Sequence, residues 1–454
     1  MMLKSLAALW LGTAIGVAAV AAAPADRGWW NDLPYRPPPP NPKAAVMPLV
    51  SVNGNRFVTP DGKPILFRGV SIADPGKLLA EGQWKPELFD AVKNMGANLV
   101  RIPVHPTSWR AIGPKEYFEH LDEAVDWCTG RHMYVIIDWH SIGNLMTEMF
   151  QDPMYDTSKG ETFDFWRRIA QHFNGNHTVA FFELFNEPTD YHQQLGDFSW
   201  TEWRNLNEEM IGIIRAFDPD TVPLVAGDDW AYDLDQVHYE PIRAANIGYV
   251  THPYPHKRTR PWEPKWDEDF GFVSEKYPMI ATEIGYWAQP GETITDDSYG
   301  NRITRYLERH GISWTAWVFD PQWDPALLKS FDGYPLTPCG EFFKEAMNRA
   351  SEPVTAAAAP APSGVGQLEA PGAAANASKD ARLKVLPNGQ MSLDGKVMAD
   401  ADLNAALGQW HQAHPDLGLV IMGDEDSEFK RIALALDVAR LAGIRDFQLQ
   451  TKSP

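Results

Sequence analysis

The chain has little cysteine: Cys128 and Cys339 are its two thiols in 454 residues. There is no Cys-x-x-Cys pair, no His-Glu-x-x-His, no Gly-x-Ser-x-Gly elbow and no phosphate-binding glycine loop. Structural zinc, zinc-dependent hydrolysis, serine hydrolysis and nucleotide binding therefore find no support. Positive charge is also short, with 40 Lys and Arg against 60 Asp and Glu, a net charge of −20. That balance argues against nucleic acid and anionic membrane surfaces as partners and suits a neutral polymer. The acidic run Asp424–Glu428 lacks the alternating ligand spacing of a calcium loop and reads as the cap of a following helix. No metal and no cofactor is expected.

Long apolar runs are absent except at the start. Lys4 precedes an Ala-rich stretch, Leu6 to Val20, and Ala21-Ala22-Ala23 supplies small residues for cleavage. Residues 1–23 read as a signal peptide, so the mature chain is expected to be exported, to a periplasm or the exterior, with no stable membrane span. Cys128 falls on the apolar stripe of an expected helix and reads as a buried thiol; a Cys128–Cys339 disulfide stays open.

What the chain does have is punctuation. Residues 24–48 hold a Pro-rich spacer with Pro37-Pro38-Pro39-Pro40. Residues 49–350 open on Asn53-Gly54 and Asp61-Gly62 turns, a small hairpin, and then alternate strand and helix patterns. The expected strands are Ile65–Gly69, Asn98–Pro103, Tyr134–Asp138, Ala180–Phe185, Val222–Ala226, Ile247–Thr251, Met279–Thr282 and Ser313–Val318. Eight such units predict an α/β fold, a (β/α)8 TIM barrel. Residues 351–380 are an Ala/Pro-rich linker, and residues 381–454 read as a small α+β domain of order β-β-α-β-α-β.

Two of the short apolar runs close on glutamates, Glu187 and Glu283. Strand C-terminal ends are where such a barrel keeps its chemistry, and two converging carboxyls are what glycosidic hydrolysis needs. Arg101 ends the strand Asn98–Pro103 and could hold one carboxylate ionised; Tyr254 could supply another donor. Trp109, Trp139, Trp230, Trp262, Trp266, Trp287 and Trp323 fall near strand ends or in the loops after them. Two or three are expected to stack on sugar, and the loop Arg258–Trp266 is the favoured cleft wall.

With these residues in order, the segment resembles family 5 glycoside hydrolases of the cellulase type. The motifs are Arg101, His140 in Asp-Trp-His, Asn186-Glu187-Pro188, His252-x-Tyr254, Glu283-x-Gly285 and Trp317. The resemblance implies that Glu187 is the acid/base and Glu283 the nucleophile of a retaining endo-β-1,4-glucanase. It implies that Asn186 contacts the sugar 2-hydroxyl, that Arg101 and Tyr254 hold Glu283, that His140 and His252 line the subsite, and that Trp317 is its floor. The same machinery would serve an endo-β-mannanase, a licheninase or a xyloglucanase, and a non-catalytic glycan-binding envelope scaffold is the alternative of another class. Residues 381–454, through Asn388-Gly389, Asp394-Gly395, Leu419–Asp424 and Ala435–Ile444, resemble the periplasmic domain of the ExbD/TolR family but lack its membrane helix. That resemblance implies an envelope contact: a partner protein, peptidoglycan or dimerisation.

Overall fold

The computed structural model describes residues 47–287, 293–352 and 354. In the C-terminal segment it describes 381–385, 391–393, 396–398, 403, 406–407, 410, 419–423 and 447–451. The expected signal peptide, the Pro-rich run, most of the linker and the expected helix 428–442 lie outside the described residues. The chain divides into two compact units, Met1–Ala359 and Pro360–Pro454.

In the first unit eight parallel strands close into a barrel: β1 (Arg68–Ile72), β2 (Leu99–Val104), β3 (Tyr134–Trp139), β4 (Val179–Glu183), β5 (Val222–Ala226), β6 (Gly248–Val250), β7 (Met279–Ile284) and β8 (Ser313–Phe319). Each pairs with its neighbour in sequence, and β8 returns to β1 through Trp314, opposite Arg68. Every residue of β2, β3 and β7 is buried, as parallel strands covered on both faces must be. The intervening helices carry apolar stripes. Pro114–Gly130 buries Tyr117, Leu121, Ala124, Val125 and Cys128, a spacing of three and four that puts them on one face. Helices Lys159–Phe173 and Trp200–Arg215 begin at Ser158 and Ser199, whose hydroxyls accept from the N–H of Glu161 and Glu202. Such caps stabilise a helix by about 1 kcal/mol.

The first strand lies three residues later than Ile65–Gly69 predicted. Ile65 donates its N–H to the Phe57 carbonyl, so it extends the hairpin Ser51–Asn53/Arg56–Val58 and the barrel begins beyond it. The hairpin's Phe57 packs edge-on against Phe181, 4.9 Å between centroids, and reaches Phe67 at 6.1 Å. Together these rings fill the N-terminal end of the barrel, which leaves the opposite mouth for chemistry. Cys128 and Cys339 are both buried free thiols, so the disulfide that the sequence left open does not form. Each sits among core side chains on a different helix.

In the second unit five strands form one sheet: β9 (Ala381–Val385), β10 (Met391–Leu393), β11 (Lys396–Met398), β12 (Leu419–Gly423) and β13 (Phe447–Thr451). The order is β11-β10-β9-β12-β13, with the first three antiparallel and the last two parallel to β9. Strand β11 is an addition to the predicted β-β-α-β-α-β order. It has three residues, too few for a period-of-two pattern to stand out. Between β11 and β12, Leu403 and Leu407 are helical and fully buried, one turn apart on the same face. Among the described residues no helix is long and apolar enough to cross a membrane.

Candidate active site

The C-terminal ends of the strands converge on Arg101. Its guanidinium springs from the middle of β2, three residues before the strand end at Val104 and not at the end the sequence suggested, and is fully buried. It donates to both oxygens of Glu183 (2.6 and 3.0 Å), to Glu283 Oε1 (2.8 Å) and to Asn186 Oδ1 (2.6 Å). Asp138 Oδ2 lies 3.0 Å from Nη2. A buried charge is tolerated only when paired, and here one cation answers several carboxyls.

Glu283, at the end of β7, also accepts from Tyr254 Oη at 2.7 Å. The Tyr254 ring packs against the backbone of Gly285, where an added Cβ would lie 2.5 Å from Cε1 and 2.7 Å from Pro325 Cγ. The Glu-x-Gly spacing thus has a steric reason: glycine clears the space that lets the tyrosine reach the carboxylate.

His252, after β6, joins the two glutamates. Nδ1 lies 3.0 Å from Glu187 Oε1, and Nε2 lies 2.9 Å from Thr282 Oγ1. The Thr282 hydroxyl donates to Glu183 Oε1 at 2.8 Å, so it must accept from His252 and Nε2 carries a proton. An oxygen of Glu187, an oxygen of Glu283 and a ring nitrogen of His252 all lie within 4.8 Å of one another.

The electrostatics follow from burial and this pairing. Desolvation alone would lower His252, but Glu283, Glu183 and Glu187 around it raise it to about 9, so it is cationic at neutral pH. Burial pushes Asp138 well above the usual carboxylate range despite Arg101. Burial likewise lifts Glu283, with His252 and Arg101 pulling it back. Glu183 is drawn below its ordinary value because Arg101 and His252 outweigh its burial. His140 is held well below 6.5, first by burial and then by the neighbouring His105 and Arg101. It is a neutral ring whose Nδ1 lies 2.6 Å from Asp138 Oδ2.

Above this layer opens a cleft of about 560 Å³ whose walls include His140, Asn186, Glu187, Tyr254, Glu283 and Trp317. Arg101 and His252 lie beneath it, fully buried. All eight residues named from the sequence are therefore brought together. Trp317, on β8, stands parallel to His140, 5.4 Å between centroids and 3° between planes.

Of the other tryptophans, Trp230 and Trp287 line the cleft. Trp109, Trp139 and Trp266 are core, and Trp323 lies parallel to Trp317 at 6.0 Å. The loop Arg258–Trp266 does not form the expected cleft wall. Arg258 pairs with Asp269, and Trp262 lies parallel to Trp266 and edge-on to Tyr299, contacts that hold both tryptophans against the core instead of at the cleft. The wall comes instead from His256, Lys257, Asp229 and Trp230. Asp138 and Glu183 were not singled out in the sequence. A charged residue inside a wholly apolar strand was the signal available, since such a group must find a buried partner.

Residues 58–322 match the cellulase family, glycosyl hydrolase family 5, and residues 354–453 match the biopolymer transport protein ExbD/TolR family. Among solved structures, a β-glucanase from Saccharophagus degradans in complex with cellotetraose is 45% identical with a TM-score of 0.65, over 70% of this chain and 98% of that one. Endoglucanase E-5 of Thermobifida fusca is 25% identical over 319 residues, 66% of this chain and 64% of the relative. Endoglucanase A of Butyrivibrio fibrisolvens is 30% identical over 217 residues, 45% of each chain. The chain thus spans between about half and two thirds of these curated relatives. With the barrel, the paired glutamates and the family match over most of the first unit in agreement, the chain belongs to glycosyl hydrolase family 5, the cellulase family.

Proposed function

We propose that this protein is a retaining endo-β-glucanase, hydrolysing β-1,4-linked glucan by double displacement. The observation that carries it is the pair Glu187 and Glu283, with an oxygen of each within 4.8 Å of the other. Retention uses carboxyls roughly 5–5.5 Å apart, whereas inversion needs about 6.5–9.5 Å to admit a water.

In the first step a Glu283 oxygen attacks the anomeric carbon while Glu187 gives its proton to the departing glycosidic oxygen. The sugar is left esterified to Glu283. In the second step Glu187, now ionised, takes a proton from water. The resulting hydroxide equivalent displaces Glu283 from the anomeric carbon and restores both groups. Arg101 and Tyr254 hold Glu283 ionised and aimed, and His252, 3.0 Å from Glu187 Oε1, aims that carboxyl at the glycosidic oxygen. Asn186 Oδ1 is taken by Arg101, while its buried Nδ2 has no partner among the described residues, which supports the reading that this amide donates to the sugar 2-hydroxyl. Trp317 and neutral His140 supply a flat apolar floor. Glucan as substrate is supported by the cellotetraose complex of the Saccharophagus degradans β-glucanase.

The ExbD/TolR-like segment is proposed as an envelope-contact module, acting through a partner protein, peptidoglycan or its own dimerisation. Export is proposed from Lys4 and the stretch Leu6–Val20. The test is reducing-sugar release from carboxymethyl cellulose, barley β-glucan, glucomannan and mannan by wild type, Glu187→Gln and Glu283→Gln, with the anomer of the first product read by NMR. Activity on glucan lost in both variants, with a β-anomer released first, supports the reading. Activity surviving Glu283→Gln, or an α-anomer, overturns it.

A further inference from the structure

Glu187 is held from two directions, and the second has no place in the mechanism above. Residues Glu187–Pro188 form a short strand parallel to Ile142–Asn144, which turns back as Met149–Phe150. The Glu187 N–H donates to Ser141 O at 3.1 Å, and Thr189 N–H donates to Gly143 O at 3.0 Å. The segment leaves the barrel at Asn186, whose N–H still donates to Trp139 O of β3 at 3.1 Å, and from Glu187 onward its backbone is registered on a hairpin inserted after β3. Closure of that hairpin depends on Gly143: with φ +150°, an added Cβ there would lie 2.6 Å from Met149 O and 2.7 Å from Phe150 Cα.

The last residue of the hairpin, at its open base, reaches the cleft wall. Gln151 N–H donates to Ile142 O at 3.0 Å, and its side-chain oxygen accepts from Trp230 Nε1 at 2.9 Å. Trp230 is the middle of three successive non-glycine residues in left-handed backbone, Asp229, Trp230 and Ala231, with φ of 53°, 57° and 59°. Such a turn persists only where its surroundings hold it. Here Lys257 Nζ sits 4.7 Å over the Trp230 ring and 3.1 Å from Asp229 Oδ1, and the Tyr191 ring meets Trp230 edge-on. Tyr191 itself follows Glu187 by four residues on the same segment. The hairpin and the Trp230 wall therefore form one connected frame around the acid/base.

We propose that the hairpin Ile142–Gln151 is a positioning device for Glu187, fastened to the Trp230 wall through Gln151, and that Gly143 and Gln151 act on catalysis through the placement of that one carboxyl. The inference rests on the reading of Glu187 as acid/base. Its consequence is selective. A misplaced acid slows expulsion of a poor leaving group, a sugar hydroxyl, and leaves attack on an activated aryl glycoside unaffected, because a good leaving group needs no proton.

The experiment compares kcat/KM on barley β-glucan and on dinitrophenyl β-cellobioside for wild type, Gln151→Leu, Gly143→Ala and Glu187→Gln. Gln151→Leu keeps side-chain bulk at an exposed position and is expected to fold. It should lose about tenfold on glucan, Gly143→Ala about a hundredfold, and both should stay within about twofold of wild type on the aryl substrate. Azide, which attacks the glycosyl-enzyme without a base, should raise the aryl-substrate kcat of Gly143→Ala. Equal losses of Gln151→Leu on both substrates, or none on either, overturn the positioning role while Glu187→Gln still shows the split. If Glu187→Gln retains activity on glucan, the acid/base reading itself fails, and the two failures are told apart.

Discussion

Tyr254 and Glu283 are joined by a 2.7 Å hydrogen bond from the phenol to Oε2, and the tyrosine stays a donor because burial and Glu283 push its own ionisation far up. The bond favours the ionised carboxylate, so its loss raises Glu283 further above its ordinary value. Tyr254→Phe should lower kcat by about tenfold to a hundredfold and move the acid limb of the kcat/KM profile to higher pH. A pH–rate profile checks this, and an unmoved acid limb would show that Tyr254 does not set the ionisation of Glu283.

Gly285→Ala should act through the same bond. The added Cβ would meet the Tyr254 ring and displace the phenol from Glu283. The effect on kcat should match Tyr254→Phe in direction, and the double variant should be no worse than the poorer single one. Additive losses would mean that Gly285 serves another purpose.

His252 ties stability to pH. Its folded pKa, about 9, lies above the ordinary 6.5. The group therefore stabilises the fold in full below about pH 6.5, and that contribution fades as pH rises from there through about 9. A shift of that size corresponds to about 3 kcal/mol. Urea unfolding at about pH 6 and about pH 9.5 should show a stability loss in wild type that exceeds that of His252→Asn by roughly this amount. An equal loss in both would mean that His252 is not charged in the folded protein.

Arg101 holds the buried carboxyls together. Arg101→Ala leaves Glu183 and Glu283 without their cation and should cost about 3–5 kcal/mol in a denaturant titration, beyond abolishing activity. Arg101→Lys should also be damaging, because an ammonium cannot give Glu183 two hydrogen bonds and reach Glu283 as well. A lysine variant as stable as wild type would show that the bidentate geometry is dispensable.

The barrel was legible because its signals are local. Short apolar runs such as Tyr134–Trp139, buried at every position, alternate with helices whose stripes repeat at three and four. The first strand was misplaced because Ile65 reads as apolar whether it pairs with Phe57 in the hairpin or enters the barrel, and pattern cannot tell the two apart. The cleft wall was misplaced for a related reason. Trp262 and Trp266 look like sugar platforms in sequence, yet they stack on one another and meet Tyr299 edge-on, a choice made by the helix Tyr299–Arg309 on which they pack.

The sequence by itself determined the strand-end glutamates, the arginine and tyrosine that serve one of them, and the glycine that makes room, because each sits in a motif a few residues long. Only the tertiary structure decided which groups share the charge of Arg101, that His252 bridges both glutamates, and that the backbone of Glu187 pairs with a hairpin strand 45 residues earlier. Those relations join residues from β2, β3, β4, β6 and β7, and they depend on angstrom-scale distances set when the sheet closes. Burial then fixes the protonation states, since the same carboxyl is raised or lowered according to how much water the closed barrel excludes and which cation it faces.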